Sequence, residues 1–79
     1  MSEHELDARN LLCPLPVIRT QDAVKNLRPG DRLRVHCTDP GALYDIPACC
    51  RMYGHDVLGT KQTRDEVRIT LRIGAPSST

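Results

Sequence analysis

Regular alternation of apolar and polar residues predicts strands in this chain. It is clearest over residues 66–73, where every second residue is Val, Ile or Leu, and it recurs over residues 32–38. A period of two places successive side chains on opposite faces of a strand, so each of these strands has one apolar and one polar face. Residues 5–8 and 56–60 show a weaker alternation and are predicted as two further strands.

Apolar residues between the strands recur at helical spacing instead. Val17, Ile18, Val24 and Leu27 predict a first helix over residues 15–27. A turn at residues 29–31 separates this helix from the next strand.

The second helical segment contains a proline. Asp39 is a candidate N-cap, and apolar residues at positions 42, 46, 49 and 53 share one face. Pro47 would cost about 3 kcal/mol inside a helix. We therefore expect an irregular first turn over residues 40–45 and a regular helix over residues 47–53, with Gly54 ending it.

The predicted order is β-α-β-α-β-β. It indicates an α+β fold, a two-layer sandwich with two helices on one face of a four-stranded mixed sheet. We expect a single domain over residues 1–79, with an ordered core of about residues 5–73 and a frayed tail over 74–79. The opposite sheet face would be polar and basic, through Arg32, Arg34, His36, Arg68 and Arg72. These side chains form either a solvated face or a dock for an acidic partner.

Composition narrows the possible functions. The chain has no Phe or Trp, so its core must be thin, and its net charge of +1 does not indicate nucleic-acid binding. No apolar run approaches the length of a membrane helix, and the acidic N-terminus does not resemble a signal peptide. The four cysteines are therefore interpreted as reduced thiols of a cytoplasmic protein. They include no C-x-x-C pair, so we expect no metal site.

The most informative segment runs from Asn10 to Ile18. Pro14 restricts Cys13 to extended geometry, and Pro16 suits the first turn of a helix. The Cys13 thiol would then lie just before a helix N-terminus, whose dipole favours a thiolate by roughly 0.3–1 kcal/mol. Such a thiol can act as both nucleophile and leaving group. The alternative interpretation is a small structural residue at a helix entrance.

These residues resemble the TusA/SirA-like sulfur-carrier family. The resemblance covers residues 6–73 and rests on Leu6, Asp7, Asn10, Leu11, Cys13, Pro14 and Pro16, followed by Pro29-Gly30, Thr38-Asp39-Pro40, Asp45-Ile46-Pro47 and Gly54-His55. Most members have Gly where this chain has Asn10, and both residues tolerate left-handed geometry.

The resemblance implies that the fourth strand lies between the second and third. It also implies a sulfurtransferase without cofactors, in which Cys13 carries sulfane sulfur as a persulfide. The implied donor is a cysteine desulfurase or a rhodanese, and the acceptor is a DsrE/TusD-like or heterodisulfide-reductase-like protein. The pathway, tRNA thiolation or sulfur oxidation, stays open.

Other residues receive supporting roles. Pro14, Pro16, Asp7 and Asn10 would position the Cys13 loop, and the candidate partner contacts are Arg19, Lys25, Arg28 and Cys50. We expect a monomer that contacts neither membrane nor nucleic acid directly. Two other functions remain: a non-catalytic binding module that uses the basic sheet face, and a redox protein that pairs Cys13 with Cys49 or Cys50.

Overall fold

The computed structural model describes residues 2–12 and 14–74. Its secondary structure has the predicted order β-α-β-α-β-β. The elements are β1 (Glu3–Ala8), α1 (Leu15–Val24), β2 (Arg32–Cys37), α2 (Ala42–Tyr53), β3 (Asp56–Gln62) and β4 (Val67–Arg72). None of the helices within these ranges is long and apolar enough to cross a membrane.

The four strands form one mixed sheet in the order β1-β2-β4-β3. β1 pairs parallel with β2, whereas β4 runs antiparallel to both β2 and β3. The predicted position of β4 between β2 and β3 is therefore confirmed. The parallel pairing brings the carboxyl ends of β1 and β2 to the same edge of the sheet, where the loops leading into α1 and α2 begin.

The core lies between the inner sheet face and the helices. The predicted inward faces of β2 and β4 are confirmed, since every second residue of each is buried. The buried apolar residues are Ala8, Leu33, Val35, Cys37, Ala42, Ile46, Cys50, Val67, Ile69, Leu71 and Ile73. β3 is an edge strand whose residues are exposed apart from the half-buried Val57, which explains its weak alternation.

α1 differs from its prediction in length and in orientation. It ends at Val24 rather than at residue 27, although two tighter hydrogen bonds, Asn26 N–H to Ala23 O and Leu27 N–H to Val24 O, continue the turn. Ile18 is 43% exposed, whereas Thr20 is buried and donates its hydroxyl to the Pro16 carbonyl. That local bond lets a polar residue face the core.

The structure of α2 corrects the expectation that a regular helix begins at Pro47. The helix is continuous from Ala42 to Tyr53 and contains Pro47 in its interior. The predicted irregularity lies earlier, where Ala42 N–H and Leu43 N–H donate to the carbonyls three residues before them. The N-cap is Gly41 rather than the predicted Asp39, which lies two residues earlier and accepts the Gly41 N–H at 3.0 Å.

The buried face of α2 also differs from the prediction at two positions. Ala42, Ile46 and Cys50 face the sheet, whereas Cys49 is half-buried and Tyr53 is exposed. A helical period of 3.6 allows either cysteine to face inward, so spacing alone could not decide between them. Gly54 ends the helix in the left-handed conformation (φ 80°), as predicted.

The outer sheet face is not uniformly basic, which corrects the predicted basic face. β1 begins at Glu3 and places carboxylates opposite the cations of β2, with Glu3 opposite Arg32 and Glu5 opposite Arg34. The nitrogen–oxygen distances of these two pairs are 3.8 Å and 3.6 Å. On the same face, toward the opposite edge of the sheet, Arg72 donates to Asp56 at 2.6 Å. The face therefore carries charges of both signs and does not support the binding-module alternative.

Gly74 lies in the segment predicted to fray, but it is described and packed. Its N–H donates to His55 Nδ1 at 3.0 Å, and a Cβ added to it would lie 1.8 Å from the Gly54 carbonyl oxygen. The rest of the predicted tail, residues 75–79, lies outside the described residues.

Candidate functional site

The loop between β1 and α1 turns at Asn10. This residue has φ 65°, as the left-handed prediction requires, and its N–H donates to Thr38 Oγ1 at 2.9 Å. Thr38 follows β2, so the bond joins the two loops at the carboxyl edge of the sheet. A non-glycine residue adopts this conformation at a cost, which is smallest for Asn and Asp.

Two backbone hydrogen bonds mark the entrance to α1. The Leu12 carbonyl accepts the Leu15 N–H at 2.8 Å, and the Pro14 carbonyl accepts the Ile18 N–H at 3.1 Å. Pro14 is the N-cap of α1, and Pro16 lies in the first turn, as predicted. Cys13, the predicted catalytic residue, lies outside the described residues.

The N-terminus of α1 is not neutralised by side chains among the described residues. No side chain caps it, and its first turn contains no acidic residue. Pro16 has no N–H group, so it contributes no donor of its own. The end of this helix is consequently a favourable place for a negative charge.

Asp7 holds the beginning of the loop through Arg9. Its Oδ1 accepts the Arg9 backbone N–H at 3.1 Å, and its two oxygens accept from the guanidinium at 2.9 Å and 3.1 Å. These bonds lower the pKa of Asp7 to about 2. Asp7 is therefore ionised at neutral pH, and its positioning role stays a prediction.

Exposed apolar side chains lie on both sides of position 13, and sequence reasoning missed them. Leu12 is 74% exposed, and Leu15 and Ile18 are each more than 40% exposed. Leu15 and Ile18 are three residues apart, so they share one face of α1. Helical spacing had assigned Ile18 to the core, and only the packing of α1 shows that it faces outward.

The predicted partner contacts are distributed over different parts of the surface. Arg19, Lys25 and Arg28 are all exposed, and Lys25 lies 3.6 Å from Asp22. Cys50 differs from its prediction, because it is only 1% exposed and belongs to the core. It therefore presents no contact surface to a partner.

The described cysteines fall into two groups. Cys37 and Cys50 are buried, and burial raises the pKa of each thiol to about 11. Cys49 is half-buried, and its sulfur accepts a hydrogen bond from Gln21 Nε2 of α1 at 3.4 Å. Among these three, Cys49 is thus the thiol that solvent can reach.

The described residues include no group of three or more His, Cys, Asp or Glu side chains placed to hold a metal ion. The histidines have other contacts. His36 is hydrogen-bonded to Glu66 and Glu5, at 2.5 Å and 2.9 Å, and His55 accepts from Gly74. His4 lies 3.4 Å from Asp31.

Comparison with known proteins gives a consistent picture. The family described as Sulfurtransferase TusA matches residues 4–73. Two proteins of Bacillus subtilis (strain 168), YrkF and YrkI, are named as candidate sulfur carrier proteins, and each is 38% identical over 73 residues, or 92% of this chain. The chain spans 97% of YrkI but only 40% of YrkF.

A solved structure shows the same fold. The SirA-like protein from Desulfitobacterium hafniense superposes with a TM-score of 0.78, covering 90% of this chain and 97% of that one. Its sequence identity of 20% supports the fold alone. The family match over residues 4–73 and the two relatives of 38% identity show the family: the chain belongs to the TusA sulfurtransferase family of sulfur carriers.

Proposed function

We propose that Cys13 accepts sulfane sulfur as a persulfide and passes it to a second protein. In loading, the Cys13 thiolate attacks the terminal sulfur of a donor persulfide, and the donor leaves as a thiolate. In unloading, an acceptor thiolate attacks the outer sulfur and Cys13 leaves. Each step breaks one bond to the sulfane sulfur and forms another, so no external oxidant or reductant is consumed.

The observation that carries this proposal is the N-terminus of α1. Cys13 directly precedes its N-cap Pro14, and no acidic residue lies in the first turn. A helix N-terminus stabilises both a thiolate and a persulfide anion, by roughly 0.3–1 kcal/mol when exposed. Such a modest effect suits a thiol that must be both loaded and unloaded.

The surface around position 13 supports transfer between proteins. Leu12, Leu15 and Ile18 are exposed apolar side chains near position 13 in the sequence, and a partner can cover them. We infer that a cysteine desulfurase or a rhodanese loads the carrier and that a DsrE/TusD-like or heterodisulfide-reductase-like protein unloads it. We expect these reactions in the cytoplasm, where thiols remain reduced. Both tRNA thiolation and sulfur oxidation are compatible with this chemistry.

Intact-protein mass spectrometry tests the proposal. Reduced protein is exposed to a cysteine desulfurase with cysteine, or to a rhodanese with thiosulfate, beside Cys13→Ser and Cys49→Ser. The expected result is a gain of one sulfur atom, reversible by dithiothreitol, in wild type and Cys49→Ser only. A gain retained by Cys13→Ser, or no gain with either donor, would contradict the proposal.

A further inference from the structure

An open groove of about 730 Å³ lies between α1 and the C-terminal half of α2. Thr20 and Val24 line it from α1, and Met52 and Tyr53 line it from α2. Met52 is 80% exposed, so this part of α2 has no covering element among the described residues. The groove is large enough for a small organic molecule.

Of the described cysteines, Cys49 is the accessible thiol of the groove. Cys49 lines it, and Gln21, on the opposite wall, donates its amide N–H to the sulfur at 3.4 Å. The neighbouring Cys50 also borders the groove, but it is buried, with its pKa raised to about 11.

The charged side chains that line the groove are all cationic. Lys25 and Arg51 contribute to its walls, and no Asp or Glu among the described residues lines it, although the Lys25 Nζ lies 3.6 Å from Asp22 Oδ1 outside the lining. Arg51 has no ion pair among the described residues. His55 also lines the groove, and its Nδ1 accepts the Gly74 N–H. This combination is complementary to a small anion.

We propose that the groove binds a small anionic disulfide, which then exchanges with Cys49. The Cys49 thiolate attacks one sulfur of the bound disulfide, whose S–S bond breaks. The other half leaves as a thiolate, and Cys49 retains the first half as a mixed disulfide. The disulfide supplies the oxidising equivalents. This modification would fill the groove, and it depends on Cys49 rather than on the proposed role of Cys13.

Two probes of different charge test the groove. Oxidised glutathione is anionic, whereas hydroxyethyl disulfide is neutral, and both undergo the same exchange. In the Cys13→Ser variant of the 79-residue chain we expect one mixed disulfide per chain, located at Cys49 by peptide mapping and absent from Cys37 and Cys50. Cys49→Ser should abolish it, and peptide mapping of the wild type should locate the same adduct.

Substitutions separate recognition from simple exposure. Lys25→Gln with Arg51→Gln should slow the reaction with oxidised glutathione about threefold to tenfold and leave that with hydroxyethyl disulfide within about twofold. The charge-matched control, Arg19→Gln with Arg28→Gln, removes two exposed cations that do not line the groove and should change neither rate. Circular dichroism checks that all variants remain folded.

Three outcomes would overturn the proposal. The adduct could map to a cysteine other than Cys49, which would show that the groove does not direct the reaction. The groove variants could slow the reactions with both disulfides equally, or slow neither. Either result would show that Cys49 reacts because it is exposed and that the groove does not recognise the charge of the disulfide. The control pair could slow the reaction with oxidised glutathione as much as the groove pair does. The rate would then depend on the net charge of the protein and not on the cations of the groove.

Discussion

At the scale of single residues, backbone geometry and burial determine what each candidate can do. Asn10 adopts the left-handed conformation that its loop requires, and its N–H connects that loop to Thr38. Cys49 and Cys50 are adjacent in sequence and both border the groove, yet Cys49 is half-buried whereas Cys50 is buried in the core. The difference arises from a rotation of only 100° about the helix axis.

Substitutions at Asn10 test the left-handed turn. Asn10→Gly should keep the free energy of unfolding within about 1 kcal/mol of wild type, because Gly adopts positive φ freely. Asn10→Val should lower it by about 1–2 kcal/mol, since a β-branched residue is strained there. Urea unfolding followed by circular dichroism measures both, and equal stability of the two variants would contradict the assigned geometry.

At the scale of elements, α2 shows how tertiary packing overrides a local preference. The helix continues through Pro47, although proline lacks the N–H that would bond to the Leu43 carbonyl. Ala42, Ile46 and Cys50 pack against the sheet on both sides of this position. Their burial holds the helix together where propensity alone predicts a break.

Pro47→Ala tests the cost of this arrangement. It restores an N–H in the helix interior, and we expect the free energy of unfolding to rise by about 1–2 kcal/mol, after allowing for greater freedom of the unfolded chain. Ala48→Gly, an exposed change one residue along, should instead lower it by about 1 kcal/mol. A loss of stability in Pro47→Ala, measured by urea unfolding, would show that the proline ring itself is needed.

At the scale of the whole molecule, charges of opposite sign connect the strands across the outer sheet face. His36 on β2 contacts Glu5 on β1 and Glu66 just before β4, so one ring joins three segments. These hydrogen bonds are the largest cause of the lowered pKa values of Glu5 and Glu66.

Unfolding at acidic pH should show how much these carboxylates stabilise the fold. A carboxyl group whose pKa is lower in the folded state stabilises the fold above its unfolded pKa, and that contribution disappears as pH falls through the folded pKa. The pKa values of Glu5, Glu66 and Asp31 are lowered, and that of Asp7 is about 2. We therefore expect the free energy of unfolding to decrease between about pH 5 and pH 2.

A matched pair of variants assigns this effect. His36→Gln should make the decrease shallower, because Glu5 and Glu66 lose the hydrogen bonds that lower their pKa values. Lys61→Gln removes a cation on the edge strand β3. This lysine forms no ion pair within the described part of the chain, so its removal should leave the slope unchanged. Urea unfolding at a series of pH values measures both slopes, and identical slopes for His36→Gln and wild type would contradict the assignment.

Hydrophobic periodicity and turn residues are local signals, and they predicted most of the fold. The inward faces of β2 and β4, the cap at Gly54 and the left-handed Asn10 follow from neighbouring residues alone. For the candidate site, the positions of Pro14 and Pro16 at the start of α1 were predicted in the same way. The assignment of Cys13 as the reacting thiol stays a prediction.

Other features depended on segments that are distant in the chain. The rotation of α2 that buries Cys50 and exposes Cys49 is set by packing against the sheet and α1. The outer sheet face carries acidic as well as basic side chains because β1 pairs with β2. No local sequence pattern specifies that pairing. Periodicity and turn chemistry thus sufficed for the elements and their order, whereas long-range packing and strand pairing decided which side chains are accessible, buried or neutralised.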